Sequence, residues 1–231
     1  MRFFVGVLYV VVFLSSGEAK TLYDEIGGEV ETSSSFDIDI TNAYNAPVPR
    51  VLRKRIKQYA EKLEALLPIN NDSYIAYSPY GKAENVIITD EYKAYRTYWR
   101  GEMKGGKHPW ILTGSHDLAQ FRSFFLYGGV WKSRRDYFLH SRLKKINIAV
   151  FQVPVSNGKA LDVYQTHSQD VSFKDVPGAR AFGFGFSSWA SSRYKSLSRK
   201  FKIQRVYPFV RITVLETYKG KKYQGAYITS I

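Results

Sequence analysis

The chain contains no cysteine, only two methionines and four histidines, and eight prolines in 231 residues. Without cysteine there are no disulfide scaffolds, cysteine-ligated zinc sites, thiol nucleophiles or iron–sulfur clusters. The histidines, His108, His116, His140 and His167, fall at no metal-ligand spacing such as His-x-x-x-His, so no metal site is expected. Nor does their spacing select the two histidines and a lysine of a basic ribonuclease. Ser115-His116-Asp117 carries the three names of a hydrolase triad, yet sequence neighbours cannot adopt its converging geometry and no Gly-x-Ser-x-Gly turn occurs, so these residues read as a helix start. Carboxylates are scarce too: 20 acids face 34 bases, a net charge of +14. What is plentiful is aromatic, with 18 Tyr, 15 Phe and 4 Trp. That is enough apolar mass to repay the entropy of ordering, so the chain is expected to fold.

Residues 1–19 read as a secretory signal peptide: Arg2, an apolar run from Phe3 to Leu14, and small residues at Gly17 and Ala19. The run is shorter than the roughly 20 residues that cross a bilayer, and none later is comparable, so an extracellular protein without a transmembrane segment is expected. Residues 20–46 hold six carboxylates and one lysine, a net of −5, which leaves +19 on residues 47–231. Two readings stay open for this acidic arm: a solvated extension, or a segment lying across the basic surface in competition with an anionic ligand. Residues 47–231 are expected to form one basic α+β domain. Asn71-Asp72-Ser73 is a candidate N-glycosylation site in a loop.

Leu52, Ile56, Tyr59, Leu63, Leu66 and Leu67 recur at three- and four-residue intervals, which predicts a helix over 47–67. Leu118, Phe121 and Phe125 predict a second over 116–127, and Ala190, Tyr194 and Leu197 a short third over 187–200. From Lys145 the period changes to two: Ile146, Ile148 and Val150 alternate with Asn147, Ala149 and Phe151, the pattern of a strand covered on both faces. Asn157-Gly158 suits a type I′ turn, with Leu161, Val163 and Tyr164 returning. Val210, Ile212 and Val214 alternate with Arg211 and Thr213, Lys219-Gly220 makes a turn, and residues 223–231 form a last strand. The fold class expected is therefore α+β, with N-terminal helices packed on a mainly antiparallel β structure in the C-terminal half. In Arg180 to Ser188 a strand would place Phe182, Phe184 and Phe186 on one face and leave Gly183 and Gly185 bare on the other, for a packed neighbour or a ligand.

Bases cluster in three places. The densest is Arg193, Lys195, Arg199, Lys200, Lys202 and Arg205, with no acid among them; Lys200 and Lys202 are expected on the outer face of a strand. Arg134, Arg135, Arg142, Lys144 and Lys145 form a second group, and Lys219, Lys221 and Lys222 a third. Like charges at this density need solvation or a negative partner. The leading expectation is a secreted, non-enzymatic binding or toxin-like protein with a basic face. Its partner would be an anionic cell-surface glycan, lipid or protein, in preference to nucleic acid, and it would need no cofactor.

A second reading comes from a partial resemblance. Trp99-Arg100-Gly101-Glu102 resembles the arginine motif of mono-ADP-ribosyltransferase toxins, and Gly185-Phe186-Ser187-Ser188-Trp189 is similar to their serine motif, with Ser-Ser-Trp for Ser-Thr-Ser. Phe209 to Ile231 resembles the strand, turn and strand that lead to the catalytic glutamate, and Glu216 is the acid available, one strand early. The resemblance implies an NAD-using transferase, active or degenerate, with Arg100, Ser187 and Glu216 in one cleft.

Overall fold

In a computed structural model of the chain, residues 21–26, 30–37, 47–66, 74–83, 95, 97–103, 105–115, 123–185, 199–200 and 202–231 are described. The signal segment and Asn71 lie outside them. Among the described residues the architecture is mainly antiparallel β, as expected for the C-terminal half, but it is two sheets with few helices rather than the expected layer of N-terminal helices on a sheet, and of those expected helices the 50–66 one packs on a sheet. Strands are β1 (Val30–Asp37), β2 (Tyr74–Tyr77), β3 (Trp99–Gly101), β4 (Trp110–Ser115), β5 (Ser123–Gly128), β6 (Arg142–Ser156), β7 (Lys159–Ala160), β8 (Tyr164–Ser172), β9 (Ala179–Gly185), β10 (Arg205–Tyr218) and β11 (Ala226–Ser230). Helices are α1 (Leu22–Ile26), α2 (Arg50–Leu66) and α3 (Arg134–Leu139). One sheet runs β1-β9-β5-β11-β3; the other runs β2-β4-β10-β6-β7, with β8 also on β6. Pairing is antiparallel except for β1 beside β9.

The longest ladder joins β6 and β10, from Arg205 opposite Val155 to Tyr218 opposite Arg142. Alternation sorts their side chains. Ile146, Ile148, Val150, Val210, Ile212 and Val214 point into a core between the sheets, where they meet Trp99, Leu126, Phe182, Ala226 and Ile228. Ala149, Phe151, Val153, Val155, Tyr207 and Phe209 point the other way and are roofed by Leu52, Ile56, Ala60 and Leu63 of α2. That helix matches the sequence pattern, although Ala60 belongs to its buried stripe and Leu66 is only half-buried. It is tied down by the Tyr207 hydroxyl donating to Glu64 and by the Lys57 ammonium donating to the Leu161 carbonyl at 3.0 Å. The turn after β6 has Asn157 at φ 49° and Gly158 at φ 71°, both left-handed as a type I′ turn requires. Its return strand β7 is two residues long, and pairing with β6 resumes at β8.

Two expectations change. Ser123–Gly128 is strand, not the end of a helix; Phe124 and Leu126 join the inter-sheet core while Phe125 is exposed, so the operative period is two. The first part of that helix lies outside the described residues, as does 187–200 apart from Arg199 and Lys200. The last strand does not return to β10 after Lys219-Gly220. It crosses to the other sheet, between β3 and β5. Within the acidic segment, Thr21 caps α1 by exchanging hydrogen bonds with Asp24, and Leu22 is wholly buried with its amide on the Trp131 carbonyl. Phe182 is buried in β9 and stacked on Phe124; the side chains of Phe184 and Phe186 lie outside the described residues.

Ile56 has no exposed surface. Ile56→Ala is expected to cost about 2–5 kcal/mol in urea unfolding, the lost burial plus a cavity. Burial holds the His167 imidazole below its ordinary pKa of 6.5. As pH falls through that ordinary value the unfolded chain protonates before the folded one, so stability is lost on the acid side. His167→Gln is expected to flatten the decline in urea midpoint between about pH 7 and 5.

Candidate anion-binding site

The second and third basic groups meet at one end of β6 and β10. Ser133 starts α3: its hydroxyl accepts from the Asp136 amide at 3.0 Å and donates to the Asp136 carboxylate at 2.8 Å. The 219–223 turn is stapled to the end of this helix. The Lys221 amide donates to the Phe138 carbonyl at 3.1 Å, and the Lys222 and Tyr223 amides donate to Leu139 at 3.0 and 2.9 Å. Lys221 is thereby fixed beside Arg134 and Arg135, and the three cations line an open cleft of about 520 Å³ with Phe138 and Leu139. Among the described residues no carboxylate lines it, and none of the three cations has an ion-pair partner.

Arg142 holds the cleft together rather than offering charge. It is nearly buried: Nε and Nη2 donate to the Asp175 carboxylate at 2.6 and 3.0 Å, Nη2 also to the Lys219 carbonyl at 3.3 Å, and Nη1 to the His140 carbonyl at 3.0 Å. The hydrogen bonds it donates to Asp175 raise its pKa above the ordinary value. Lys144 and Lys145 are likewise engaged, with Glu216 at 2.7 Å and Asp170 at 2.8 Å. Hydrogen bonds from these lysines depress the pKa of both carboxyls.

An aromatic rank borders the cleft. His140 stacks on Tyr223 at 4.6 Å between ring centroids and meets Tyr227 edge-on at 4.9 Å; Tyr98 lies 5.7 Å from Tyr227. Lys222 stands 5.2 Å over Tyr223 and Lys132 5.4 Å over Tyr98. Burial raises the Tyr227 phenol pKa, and Arg100, opposite it on β3, works against that rise.

The residues read from the sequence are thus spread out. Arg100 is exposed on β3 in the five-stranded sheet, and Glu216 lies on β10 in the six-stranded sheet, ion-paired with Lys144. Ser187, Arg193 and Lys195 lie outside the described residues. Arg199, Lys200, Lys202 and Arg205 are all exposed. Lys200 and Lys202 do not share a strand: Arg199 and Lys200 are helical, Lys202 has φ 45°, and β10 begins only at Arg205. Arg205 and the 219–222 turn stand at opposite ends of β10, a separation of roughly 40 Å at strand rise. Among the described residues no group of three or more His, Asp or Glu side chains gathers as metal ligands, and no helix is long and apolar enough to cross a membrane.

No family model matches the chain, and no curated protein does. Among solved structures, 74% of the chain aligns with a chain holding the CBM32-1, CBM32-2 and M60 catalytic domains of Clostridium perfringens ZmpB, at TM-score 0.30 and 11% identity. The chain spans 15% of that protein's length. The family 32 CBM of C. perfringens NanJ, solved with galactose, aligns with 68% of this chain and 90% of its own at TM-score 0.22 and 9% identity. A family 89 glycoside hydrolase from C. perfringens aligns with 69% of this chain and 14% of its own at TM-score 0.22 and 11% identity. Likeness at this level carries no argument about fold or activity.

Gly220 sits where the turn presses on the end of α3. A Cβ there would lie 2.4 Å from the His140 carbonyl carbon and 2.6 Å from the Ser141 nitrogen. Gly220→Ala is expected to cost about 1–3 kcal/mol in thermal unfolding. It should also speed amide exchange at Lys221, Lys222 and Tyr223, whose staples to α3 must shift.

Proposed function

We propose that this is a secreted binding protein that holds an anionic cell-surface partner, with a sulfated glycan as the favoured class, in the cleft formed by Arg134, Arg135 and Lys221. The carrying observation is the convergence of three cations on an apolar floor without a lining carboxylate. Secretion enters through the sequence of residues 1–19. Arg and Lys heads above Phe138 and Leu139 suit a partner that presents sulfate or carboxylate groups on a less polar body. The aromatic rank beyond Leu139 extends the surface with Tyr223, which is 41% exposed. The 199–205 bases remain a proposed secondary contact at the far end of β10.

The transferase reading, with NAD, asks Glu216 to act as a base. Its carboxylate already accepts from Lys144, and its depressed pKa makes it a weaker proton acceptor, so the binding reading is preferred.

Retention on immobilised heparin at low salt tests the proposal, because attraction of this kind is screened as salt rises. Arg134→Glu with Lys221→Glu is expected to elute at clearly lower sodium chloride than wild type, and lower than Lys200→Glu with Lys202→Glu. An equal shift in the two pairs would reject the cleft as the site. No retention of the wild type on heparin or on phosphatidylserine vesicles would reject the function, and retention on the vesicles alone would reassign the partner to a lipid surface.

A further inference from the structure

The outer face of the six-stranded sheet is roofed by α2 only in part. The rows nearest the helix are apolar, with Phe209, Phe151 and Leu112 in its core. Two rows further along the composition changes. Arg211 stands between Leu112 and Ala149, and Thr213 between Trp110 and Asn147. Direct cross-strand neighbours and residues two apart share a face, so Tyr77, Trp110, Arg211, Thr213, Asn147, Ser168 and Asp170 lie on this one side. Tyr77, Trp110, Arg211, Thr213 and Asn147 are half-buried, while Ser168 and Asp170 are exposed. The patch is therefore open to solvent but framed.

Its centre is polar and unsatisfied. The Arg211 Nε and the Thr213 hydroxyl are both buried atoms with no hydrogen-bond partner among the described residues. Arg211 lies 5.6 Å over the Phe151 ring, and desolvation lowers its pKa. The nearby carboxylate does not serve it: Asp170 accepts from Lys145 at 2.8 Å and from the Asn147 amide at 2.9 Å, and Asn147 also donates to Ser168 at 3.1 Å. One side of the patch is an aromatic wall, Trp110 at 5.7 Å from Tyr77 and Tyr77 at 5.6 Å from Tyr59, with Arg55 4.7 Å over the Tyr77 ring. The other side is the hydrogen-bonding rim of Asn147, Ser168 and Asp170.

A buried Nε–H and a buried hydroxyl without partners cost stability, which the Phe151 ring under Arg211 offsets only in part, while their neighbours on the same strand, Phe209 and Ile212, are ordinary core residues. Something outside the chain that supplies an acceptor to Arg211 and a hydroxyl to Thr213 would remove that cost. Arg211 and Thr213 are about 7 Å apart along the strand, which is the span of one substituted sugar ring. The aromatic wall offers an apolar face, and the amide rim offers further hydrogen bonds. We infer that this patch binds an acidic sugar, its carboxylate on Arg211, ring hydroxyls on Thr213 and the Asn147 rim, and an apolar ring face against Trp110 and Tyr77. A neutral sugar would leave the Arg211 charge unmatched. The inference is independent of the α3 cleft, which stands on different elements.

Titration with trigalacturonate and with maltotriose, followed by calorimetry and by the Trp110 indole N–H signal, tests it. Trigalacturonate is expected to bind at least about tenfold more tightly than maltotriose and to shift the Trp110 signal. Arg211→Met should abolish that preference while unfolding at the same or a higher temperature, because a half-buried guanidinium with an unpaired buried Nε–H is replaced by an apolar side chain. Thr213→Val, of the same shape, should weaken binding several-fold and leave the fold intact. The inference is overturned if trigalacturonate does not bind, if maltotriose binds equally well, or if Arg211→Met lowers the unfolding temperature without changing affinity. Acetate competing as well as trigalacturonate, residue for residue, would reduce the site to a carboxylate hole and overturn the sugar assignment.

Discussion

Two long strands shared by two cores are the constraint on which this molecule turns. Along β6 and β10 each side chain must suit either the space between the sheets or the space under α2, and a slip of one residue would exchange the two sets. Ile146, Ile148 and Val150 with Val210, Ile212 and Val214 serve the first; Phe151, Val153 and Val155 with Tyr207 and Phe209 serve the second. Because the pair is satisfied on both faces over most of its length, the few polar residues within it stand out. The helix roof, the second sheet and the α3 platform are all placed relative to this ladder.

The positive charge of the chain is handled in two distinct ways along the same ladder. Where β6 begins, Arg142, Lys144 and Lys145 are each answered by a carboxylate brought from elsewhere, namely Asp175, Glu216 and Asp170. A few residues away, Arg134, Arg135 and Lys221 gather with no such answer among the described residues. The difference is geometric. Register places Lys145 opposite Glu216 on β10 and Ser172 on β8, so Glu216 and Asp170 arrive from neighbouring strands and Asp175 from the loop that follows β8, whereas among the described residues no strand pairs with α3 to bring an acid to it.

How far this was legible depends on the range of the deciding interaction. α2 and the turn at Asn157-Gly158 were readable, since a helical stripe and a left-handed pair of residues are local facts. Strand β5 was misread because Leu118, Phe121 and Phe125 fit a helical period as well as Ser123–Gly128 fits an alternating one, and only pairing with Phe182 and Ile228 decides between them. Lys219-Gly220 looked like a hairpin turn, and nothing in its neighbours says that the strand beyond it belongs to the other sheet. Reading Arg142, Lys144 and Lys145 as one basic group failed for the same reason: their acids lie 25 to 72 residues away in sequence. Arg211 and Thr213 were visible as polar residues in an apolar strand, but that they lack partners is a property of three dimensions.

The wiring of the five-stranded sheet also dictates an order of assembly. Val30 lies opposite Ala179, and β11 sits between β3 and β5, so this sheet draws on strands from distant parts of the chain. In the other sheet only β6, β7 and β8 close short loops, while β10 reaches back to β4 across about as much chain as separates β11 from β5. Long loop closures cost entropy before their contacts reward it, so the β6–β8 unit leads and the rest of both sheets follows on a timescale of roughly milliseconds to seconds. During that interval the aromatic segments Ser123–Gly128 and Ala179–Gly185 present unpaired edges to any neighbouring molecule, which makes self-association the natural competitor of refolding at high concentration.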